Sequence, residues 1–365
     1  MKHSQIRYLG LAAAALLLVA ACGSTPSAGG TPSPTLKVGL VTDTGGLNDQ
    51  SFNHLAAVGL AKAASTGTIC SVGGLQCSGG LNVKGDVVES KTGDEYVPNL
   101  TNFATKGYDL VIGNGFLMQP AMGTVAKQFP NIKFAIVDGY CTDASFNDLK
   151  LSNCMDLLFK EQESGALVGA IAGLLEKAHK APKNTNVIGA VGGVSIPPVN
   201  HYIAGYKWAA EMVDPGVKVL VGYSNDFNAA DKCKGVANSQ IGHGAEFIFQ
   251  VAGGCGLGAL QAAGQAKVYG FGVDADQKGA DASVIASALK KVDVAVYTAI
   301  QAVVQSKFAS GENRFSLQND ATGYQLDNPL SDGTQLPADI KAAVDKLAAD
   351  IKSGAQTPPD TIPTT

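Results

Sequence analysis

Carboxylate and aromatic side chains recur in this sequence directly after short apolar runs. The stretch VGLVTDTGGLNDQSFN (38–53) passes from an apolar run through Asp43, two glycines and Asp49 to Phe52 and Asn53. A carboxylate can accept hydrogen bonds from two neighbouring hydroxyl groups, which makes a sugar a natural partner. A phenyl ring can stack on a flat heterocycle. The stretch is therefore either an ordinary strand-to-helix turn or the edge of a ligand site.

The same residue types follow other apolar runs further along the chain. The groups are Gly113-Asn114-Gly115-Phe116, Asp138-Gly139, Gly192-Gly193, Ser224-Asn225-Asp226-Phe227, Gly253-Gly254 and Asp274-Ala275-Asp276. Turns are commonly built from Gly, Asn and Asp, so each group alone has a structural explanation. Turn chemistry does not explain Phe52, Phe116 and Phe227, because a ring at a polar strand end loses burial unless something stacks on it. Collected in one cleft, these rings and carboxylates suit a flat heterocycle that carries hydroxyl groups.

Eight short runs rich in Val, Ile or Phe predict strands that are buried on both faces. These runs are Lys37–Thr42, Lys84–Glu89, Leu110–Gly113, Lys133–Val137, Asn186–Val191, Val217–Tyr223, Glu246–Val251 and Lys267–Val273. Helical patterns such as residues 161–180 and 201–213 separate them, and this alternation predicts parallel sheets covered by helices. Because ligands bind at the carboxyl ends of strands in such sheets, we expect the groups above to share one site.

The first 21 residues predict a lipoprotein signal peptide. A basic start precedes the apolar run Leu9–Ala21, which is too short to span a bilayer. The run ends in small residues followed by Cys22, and this order is typical of a lipoprotein cleavage site. Cleavage would leave Cys22 as an acylated N-terminus anchored in the cell membrane, facing outside the cytoplasm. A plain signal peptide with an incidental cysteine is the alternative.

Length and charge limit the function classes. Of the 365 residues, 22–35 are rich in Gly, Ser, Thr and Pro and predict a flexible tether, and 355–365 predict a disordered tail. Residues 36–354 are long for one core and fit two compact lobes. The formal net charge of −4, from 27 basic and 31 acidic side chains, argues against a nucleic-acid partner.

Six cysteines remain after Cys22, and an even number in an exported protein suggests disulfides. Six cysteines allow 15 pairings, among which the sequence does not decide. We predict pairing of nearest neighbours: Cys70 with Cys77, Cys141 with Cys154, and Cys233 with Cys255. A metal site is the alternative, but no cysteine pair has the two-residue spacing of zinc sites and the histidines lie elsewhere. We therefore predict no metal.

The motifs together resemble a known family. From residue 36 to 354 the chain is similar to the basic membrane protein family of substrate-binding lipoproteins, the purine nucleoside receptors of ABC importers. The motifs that carry this resemblance are VGLVTDTGGLNDQSFN, VIGNGF, FAIVDG, IGAVGGVSIPPV, YSNDF, GFGVDADQ and SALKKVDVAVY. The resemblance implies an α/β type I periplasmic-binding fold, with two Rossmann-like lobes joined by a three-crossover hinge. The lobes are expected to comprise 36–140 plus about 272–308, and about 141–271 plus 309–354.

The resemblance also implies roles for ten residues in a cleft between the lobes. Phe52 and Phe227 would sandwich the base, and Asp49 and Asn53 would contact its edge. Asp43 and Phe116 would line the wall. The residues implied to bind the ribose are Asp138, Gly193, Asp274 and Lys290. Asp276 is the alternative to Asp274, which we prefer because it is nearer the strand end.

Enzyme chemistry has weak support in the sequence. The segment VAGGCGLGAL (251–260) has glycines spaced G-x-G-x-G, one residue short of the dinucleotide-binding pattern G-x-G-x-x-G. His179, His201 and His243 lie beside no recognisable Ser or Cys nucleophile motif. We therefore predict a binding protein without catalytic residues or cofactors.

The predicted function is that of a monomeric, membrane-tethered receptor. It would capture a purine nucleoside and deliver it to the permease and ATPase of an ABC importer, closing its lobes by a hinge motion. One alternative is a sugar-binding receptor of the same fold, because sugar receptors also stack aromatic rings on their ligands. Another is a ligand sensor for a signalling partner.

Overall fold

Two six-stranded sheets organise the protein in the computed structural model, which describes residues 36–64 and 80–363. The first sheet contains β1 (Lys37–Thr42), β2 (Lys84–Glu89), β3 (Leu110–Asn114), β4 (Lys133–Val137), β5 (Cys154–Phe159) and β11 (Gly311–Phe315). The strands lie in the order β11-β5-β4-β3-β1-β2. Every neighbouring pair is parallel, so all six carboxyl ends lie at one edge.

The second sheet repeats this arrangement with one reversed strand. It contains β6 (Val187–Gly192), β7 (Lys218–Tyr223), β8 (Phe247–Val251), β9 (Tyr269–Asp274), β10 (Val284–Lys290) and β12 (Thr322–Leu326). The order is β12-β10-β9-β8-β6-β7, and only the edge strand β12 is antiparallel to its neighbour. Two parallel-dominated α/β lobes are therefore present, as predicted.

Helices cover both faces of each sheet and bury its apolar residues. The helices on the first sheet are α1 (Phe52–Ala64), α2 (Tyr96–Thr105), α3 (Gln119–Gln128) and α8 (Val292–Val304). Those on the second sheet are α4 (Glu161–Lys177), α5 (Pro197–Val213), α6 (Ala230–Gly242), α7 (Gly253–Ala266) and α9 (Ala338–Ser353). Within the described residues, none of these helices has both the length and the apolar character needed to cross a membrane.

Within residues 36–64 and 80–363, the chain passes between the lobes three times, at short segments that lie side by side. The crossovers are residue 160 between β5 and α4, residue 291 between β10 and α8, and residues 316–321 between β11 and β12. The backbone N–H of Lys160 donates to the Phe315 carbonyl over 3.0 Å, and that of Lys291 donates to the Ala321 carbonyl over 2.8 Å. The crossovers are thus tied to one another by backbone hydrogen bonds, which makes them a common hinge.

The strands predicted from apolar runs are all present, with ends that agree within two residues. β5, β10, β11 and β12 have no counterpart among them. β11 (GENRF) is a polar edge strand with alternating exposure and has no apolar run. β10 leads into α8 through a single residue, so its apolar pattern merges with that of the helix.

The sheets divide the chain differently from the predicted lobe boundaries. β5 pairs with β4, so the first lobe runs to residue 159 rather than 140. β10 pairs with β9, which places residues 272–290 in the second lobe. β11 pairs with β5 and so returns to the first lobe. Each crossover is only one to six residues long, too short to leave a signal in composition.

The C-terminal residues that the structure describes are packed rather than disordered. Pro358 is buried, and Ile362 packs against the core of the second lobe. The predicted tail is therefore ordered up to residue 363, because these apolar side chains find a place on the lobe. The predicted signal peptide and tether, with Cys22, lie outside the described residues.

Two of the three predicted disulfides are confirmed. Cys141 is bonded to Cys154, which closes the loop between β4 and β5. Cys233 is bonded to Cys255, which joins α6 to the first turn of α7. The predicted pair Cys70 and Cys77 lies outside the described residues.

Glycines bring the backbones of α4 and α5 into contact. A Cβ atom at Gly169 would lie 2.1 Å from the Tyr206 carbonyl oxygen, and one at Gly205 would lie 2.0 Å from the Gln162 carbonyl oxygen. Such spacing is possible only without a side chain, which is the usual reason for glycine at a close backbone approach. The contact fixes the relative position of the two helices near the crossovers.

We expect Gly169→Ala to lower the free energy of unfolding by about 1–3 kcal/mol, as is typical of an overpacked core. The clash is with a backbone oxygen, which cannot move away as a side chain would. Gly235→Ala in α6 is the matched control, because its Cβ would meet nothing within 4 Å. Thermal and urea unfolding of both variants would test this; equal stability of the two would contradict the close approach.

Candidate functional site

The carboxyl ends of both sheets face one cleft, which encloses about 530 Å³ of empty space including the part open to solvent. Nine of the ten predicted site residues line it: Asp43, Asp49, Phe52, Asn53, Phe116, Asp138, Phe227, Asp274 and Lys290. The tenth, Gly193, does not. A Cβ at Gly193 would lie 2.4 Å from a ring carbon of Phe227, so this glycine makes room for that ring.

Two polar residues at the start of α1, Asp49 and Asn53, are held by the protein itself. The carboxylate of Asp49 accepts hydrogen bonds from the backbone N–H groups of Ser51, Asn53 and His54, at 2.8–3.1 Å. These groups open the helix and have no partner within it, so Asp49 acts as its cap. The Asn53 side chain donates to Asp43 over 2.7 Å and accepts from Asn114 over 2.9 Å. If Asp49 and Asn53 contact the edge of a base, as predicted, they must do so with side-chain atoms that already form these hydrogen bonds.

Asp138 and Asp274 occupy equivalent places in the two lobes. Asp138 directly follows β4 and Asp274 ends β9, the fourth strand of each lobe in chain order. Both have left-handed backbones, with φ of 64° and 62°. Aspartate tolerates this conformation better than most residues, and its use twice at a cleft is typical of a functional site.

The two carboxylates differ in their partners. Both oxygens of Asp274 accept hydrogen bonds, Oδ2 from the Ser51 hydroxyl over 2.7 Å and Oδ1 from the Tyr202 hydroxyl over 2.9 Å. Asp138 accepts through Oδ2 from the Lys290 ammonium over 2.5 Å. Its buried Oδ1 has no hydrogen-bond partner among the described residues. An unpaired buried oxygen is costly, and Oδ1 is therefore free to accept a further hydrogen bond.

Lys290 is buried where the two lobes meet. Besides Asp138, its ammonium donates to the Glu161 carboxylate over 2.9 Å. It also lies 5.0 Å from the ring centroids of Phe52 and Phe159. The other Glu161 oxygen lies 3.0 Å from Nδ1 of His201. One cation therefore serves two buried carboxylates and faces aromatic rings, an arrangement that stabilises its charge.

Burial and ion pairing oppose each other in this group. Burial alone would lower the pKa of Lys290, but the carboxylates of Asp138, Glu161 and Asp274 outweigh it and raise this pKa. Burial would likewise raise the pKa of Glu161, but Lys290 and His201 together lower it. Burial raises the pKa of Asp138 to about 7 despite Lys290, and the nearby negative charge of Glu161 adds to the rise. The lysine thus stays charged in the cleft.

Apolar and aromatic surfaces complete the cleft. Phe52 from the first lobe and Phe227 from the second are both half-buried in its wall. Residues that the sequence did not indicate form the rest of the apolar lining: Ile196, Pro198, Val199, Tyr202, Val251, Ala252 and Val273. The described lining has no serine, cysteine or histidine side chain. The geometry is therefore suited to hold a molecule with a flat apolar part and a hydroxyl-bearing part.

Three polar residues of the site were not predicted. Ser51 and Tyr202 hold Asp274, and Glu161 holds Lys290. Tyr202 and Glu161 lie within helical patterns, where nothing distinguishes them from core and surface residues. Ser51 lies within the quoted motif, and its position between Asp49 and Phe52 is the one signal that could have drawn attention to it. Asp276 is exposed and does not line the cleft.

The two lobes, the hinge and the cleft define a solute-binding protein of the type I periplasmic-binding fold. A solved solute-binding protein of an ABC transporter system from Aeropyrum pernix has a TM-score of 0.75 and 26% identity, covering 89% of this chain and 94% of that one. A second, from Conexibacter woesei, has a TM-score of 0.65 and 22% identity, covering 90% and 100%.

The chain belongs to the family of PnrA-like ABC transporter substrate-binding proteins, whose model matches residues 36–346. The ABC transporter nucleoside-binding protein BmpA of Lactococcus lactis is 30% identical, over 98% of this chain and 99% of that protein. An uncharacterized lipoprotein of Pyrococcus furiosus is 31% identical over 80% and 71%. The chain is accordingly a substrate-binding protein of an ABC transporter.

Buried carboxyl groups predict that stability falls as pH rises. Burial raises the pKa of Asp49 to about 7, despite its three N–H donors, and burial also raises the pKa values of Asp156, Glu176 and Asp327 to about 7. A raised pKa in the folded state means that the protonated form stabilises the fold. That contribution is complete below about pH 4, the unfolded value, and is lost as pH rises through 7.

We therefore expect a melting temperature several degrees higher at pH 5 than at pH 8.5, at constant ionic strength. Asp49→Asn should reduce this difference, because the variant has one fewer titrating group. Asp94→Asn, which changes an exposed carboxylate, is the matched control and should leave the difference unchanged. A melting temperature that rises between pH 5 and 8.5 would show that the sign is wrong.

Proposed function

We propose that the protein captures a purine nucleoside in the cleft and delivers it to the permease of an ABC importer. The observation that carries this proposal is the pairing of two surfaces in one cavity. Phenyl rings from both lobes, Phe52 and Phe227, share the wall with the buried carboxylate of Asp138. A nucleoside has the matching parts, a flat base and a ribose with neighbouring hydroxyl groups.

The polar end of the cleft suits the ribose. Asp138 presents an unpaired oxygen, and the ammonium of Lys290 lies 2.5 Å from the other oxygen of the same carboxylate. The carboxylate can accept from a hydroxyl group, while the ammonium has three donors and can contribute to a hydroxyl oxygen. Because this end is buried, hydrogen bonds there are stronger than they would be in water.

The apolar end suits the base. The rings of Phe52 and Phe227 approach from opposite lobes, so a base between them would bridge the cleft and favour the closed arrangement. The name of the Lactococcus lactis relative, which describes it as nucleoside-binding, supports the same ligand class. The cleft volume of about 530 Å³ lies in the range of small-molecule pockets.

Delivery to a permease requires that the receptor stay at the membrane. We propose that Cys22 carries the lipid anchor and that residues 22–35 act as a tether. The relatives from Pyrococcus species are named as lipoproteins, and other members of the family are named as membrane proteins, which supports this placement. We propose further that the protein acts as a monomer without a cofactor.

Calorimetric titration of protein lacking residues 1–35 tests the ligand class. The protein should first be refolded from denaturant, so that any ligand acquired during expression is removed. The panel contains guanosine, inosine, adenosine, cytidine, ribose, galactose and NAD. We expect tight binding of at least one purine nucleoside and a much weaker response to ribose alone. A response only to a sugar would keep the fold and overturn the nucleoside proposal.

Phe52→Ala tests the predicted stacking. Loss of base stacking costs roughly 1–3 kcal/mol per base, so we expect affinity for the best nucleoside to fall by about 5- to 150-fold. Phe129→Ala is the matched control, because Phe129 is also half-buried in the first lobe but does not line the cleft. Unchanged affinity in Phe52→Ala, with the fold confirmed by circular dichroism, would remove Phe52 from the site.

A further inference from the structure

The loop between β4 and β5 presents an exposed aromatic ring in an unusual backbone conformation. Phe146 is 48% exposed and has a φ of 61°. For a bulky residue without a polar side chain, the left-handed region is a true outlier and costs energy. An exposed ring also gains little from burial. Such a residue persists only if the surrounding structure enforces it, which directs attention to a function.

The loop is rigid for several independent reasons. The Cys141–Cys154 disulfide closes it at its base. Next to the base, Thr142 forms an antiparallel bridge with Asp148. The Asp143 carboxylate accepts from the backbone N–H groups of Ser145 and Asn147 at 2.8 and 2.9 Å, and the Asp143 carbonyl accepts from that of Phe146 at 3.0 Å. The position of the ring is therefore fixed by its own loop.

The ring of Phe146 stacks on that of Phe116. Their centroids are 5.7 Å apart and their planes differ by 12°, which is a favourable offset geometry. The two loops meet because β3 and β4 are neighbours in the sheet, so that their carboxyl ends adjoin. Phe116 lines the cleft, whereas Phe146 does not. The stack thus connects the disulfide-closed loop to the wall of the ligand site.

The turn that carries Phe116 is anchored by its backbone and by the buried side chain of Met118. It begins at Gly115, whose φ of 131° is open only to glycine, and a Cβ there would lie 2.6 Å from the Asp43 carboxylate. The N–H of Met118 donates to the Gly115 carbonyl over 3.1 Å and closes the turn. Phe116 itself is half-buried. A ring stacked from outside would restrict its rotation.

We propose that Phe146 is a positioning residue of the ligand site, which holds the ring of Phe116 in the cleft wall and thereby strengthens binding of the ligand. The identity of the ligand rests on the proposed nucleoside function. The mechanism rests on the geometry of the two loops. Phe146 does not touch the ligand in this arrangement. It acts through Phe116, and it explains why an exposed ring is kept in a strained backbone.

The test compares Phe146→Ala, Phe146→Tyr, Phe116→Ala and the double variant Phe116→Ala/Phe146→Ala in nucleoside titrations. An aromatic pair of this kind corresponds to roughly three- to tenfold in affinity, so Phe146→Ala should weaken binding by that factor. Phe146→Tyr, which keeps the ring, should restore it. The double variant should bind no more weakly than Phe116→Ala, because the second ring acts through the first. Equal affinity of Phe146→Ala and the unmodified protein, or additive losses, would overturn the proposal.

A second readout does not depend on the ligand. Amide hydrogen exchange at Met118 should be faster in Phe146→Ala than in the unmodified protein, because the turn loses its outer support. Val97→Ala, which changes an exposed residue of similar accessibility (40%) on α2, is the control for both measurements. If no nucleoside binds to the unmodified protein, the proposed function fails, and exchange at Met118 still decides the role of Phe146. Unchanged exchange at Met118 would overturn the proposed role of Phe146.

Discussion

The contact of Lys290 with two carboxylates is the interaction on which the site depends. Asp138 belongs to the first lobe, Glu161 begins the first helix after a crossover, and Lys290 ends the strand before the next crossover. Burying three charged groups is costly, and only their mutual pairing compensates for it. The ion cluster therefore fixes the hinge side of the cleft. The contact of Lys290 with one oxygen of Asp138 also orients the other, free oxygen of that carboxylate.

Much of the fold and many of the polar residues that line the cleft were predictable because two simple rules apply to this chain. Apolar runs such as Leu110–Gly113 identify strands buried on both faces, and residues that line the cleft follow such strands at their carboxyl ends. Asp43, Asp138 and Asp274 obey the second rule. Tyr202 and Glu161 do not, because they lie on helices whose periodicity describes packing alone. Gly193 also follows a strand, but it does not line the cleft. Its small size makes room for the ring of Phe227.

The lobe boundaries were less predictable than the strands, for a related reason. Pairing between strands far apart in sequence, as between β5 and β11, decides which lobe a segment joins. No local sequence pattern indicates which lobe a segment joins. The polar network of Asp49 and Asn53 shows the same limit at the level of side chains. Residue type suggests contact with a ligand, but only the fold shows that Asp49 already caps a helix and that the Asn53 side chain already binds Asp43 and Asn114.

Helix α5 has a consequence for optical work on this protein. It contributes Pro198, Val199 and Tyr202 to the cleft, and it also carries Trp208, the single tryptophan of the whole chain. Six residues of helix separate Trp208 from Tyr202, a rise of about 9 Å. Trp208 is partly buried against the core of the second lobe. Its fluorescence therefore provides a natural reporter within the second lobe, so changes there can be followed without attaching a dye.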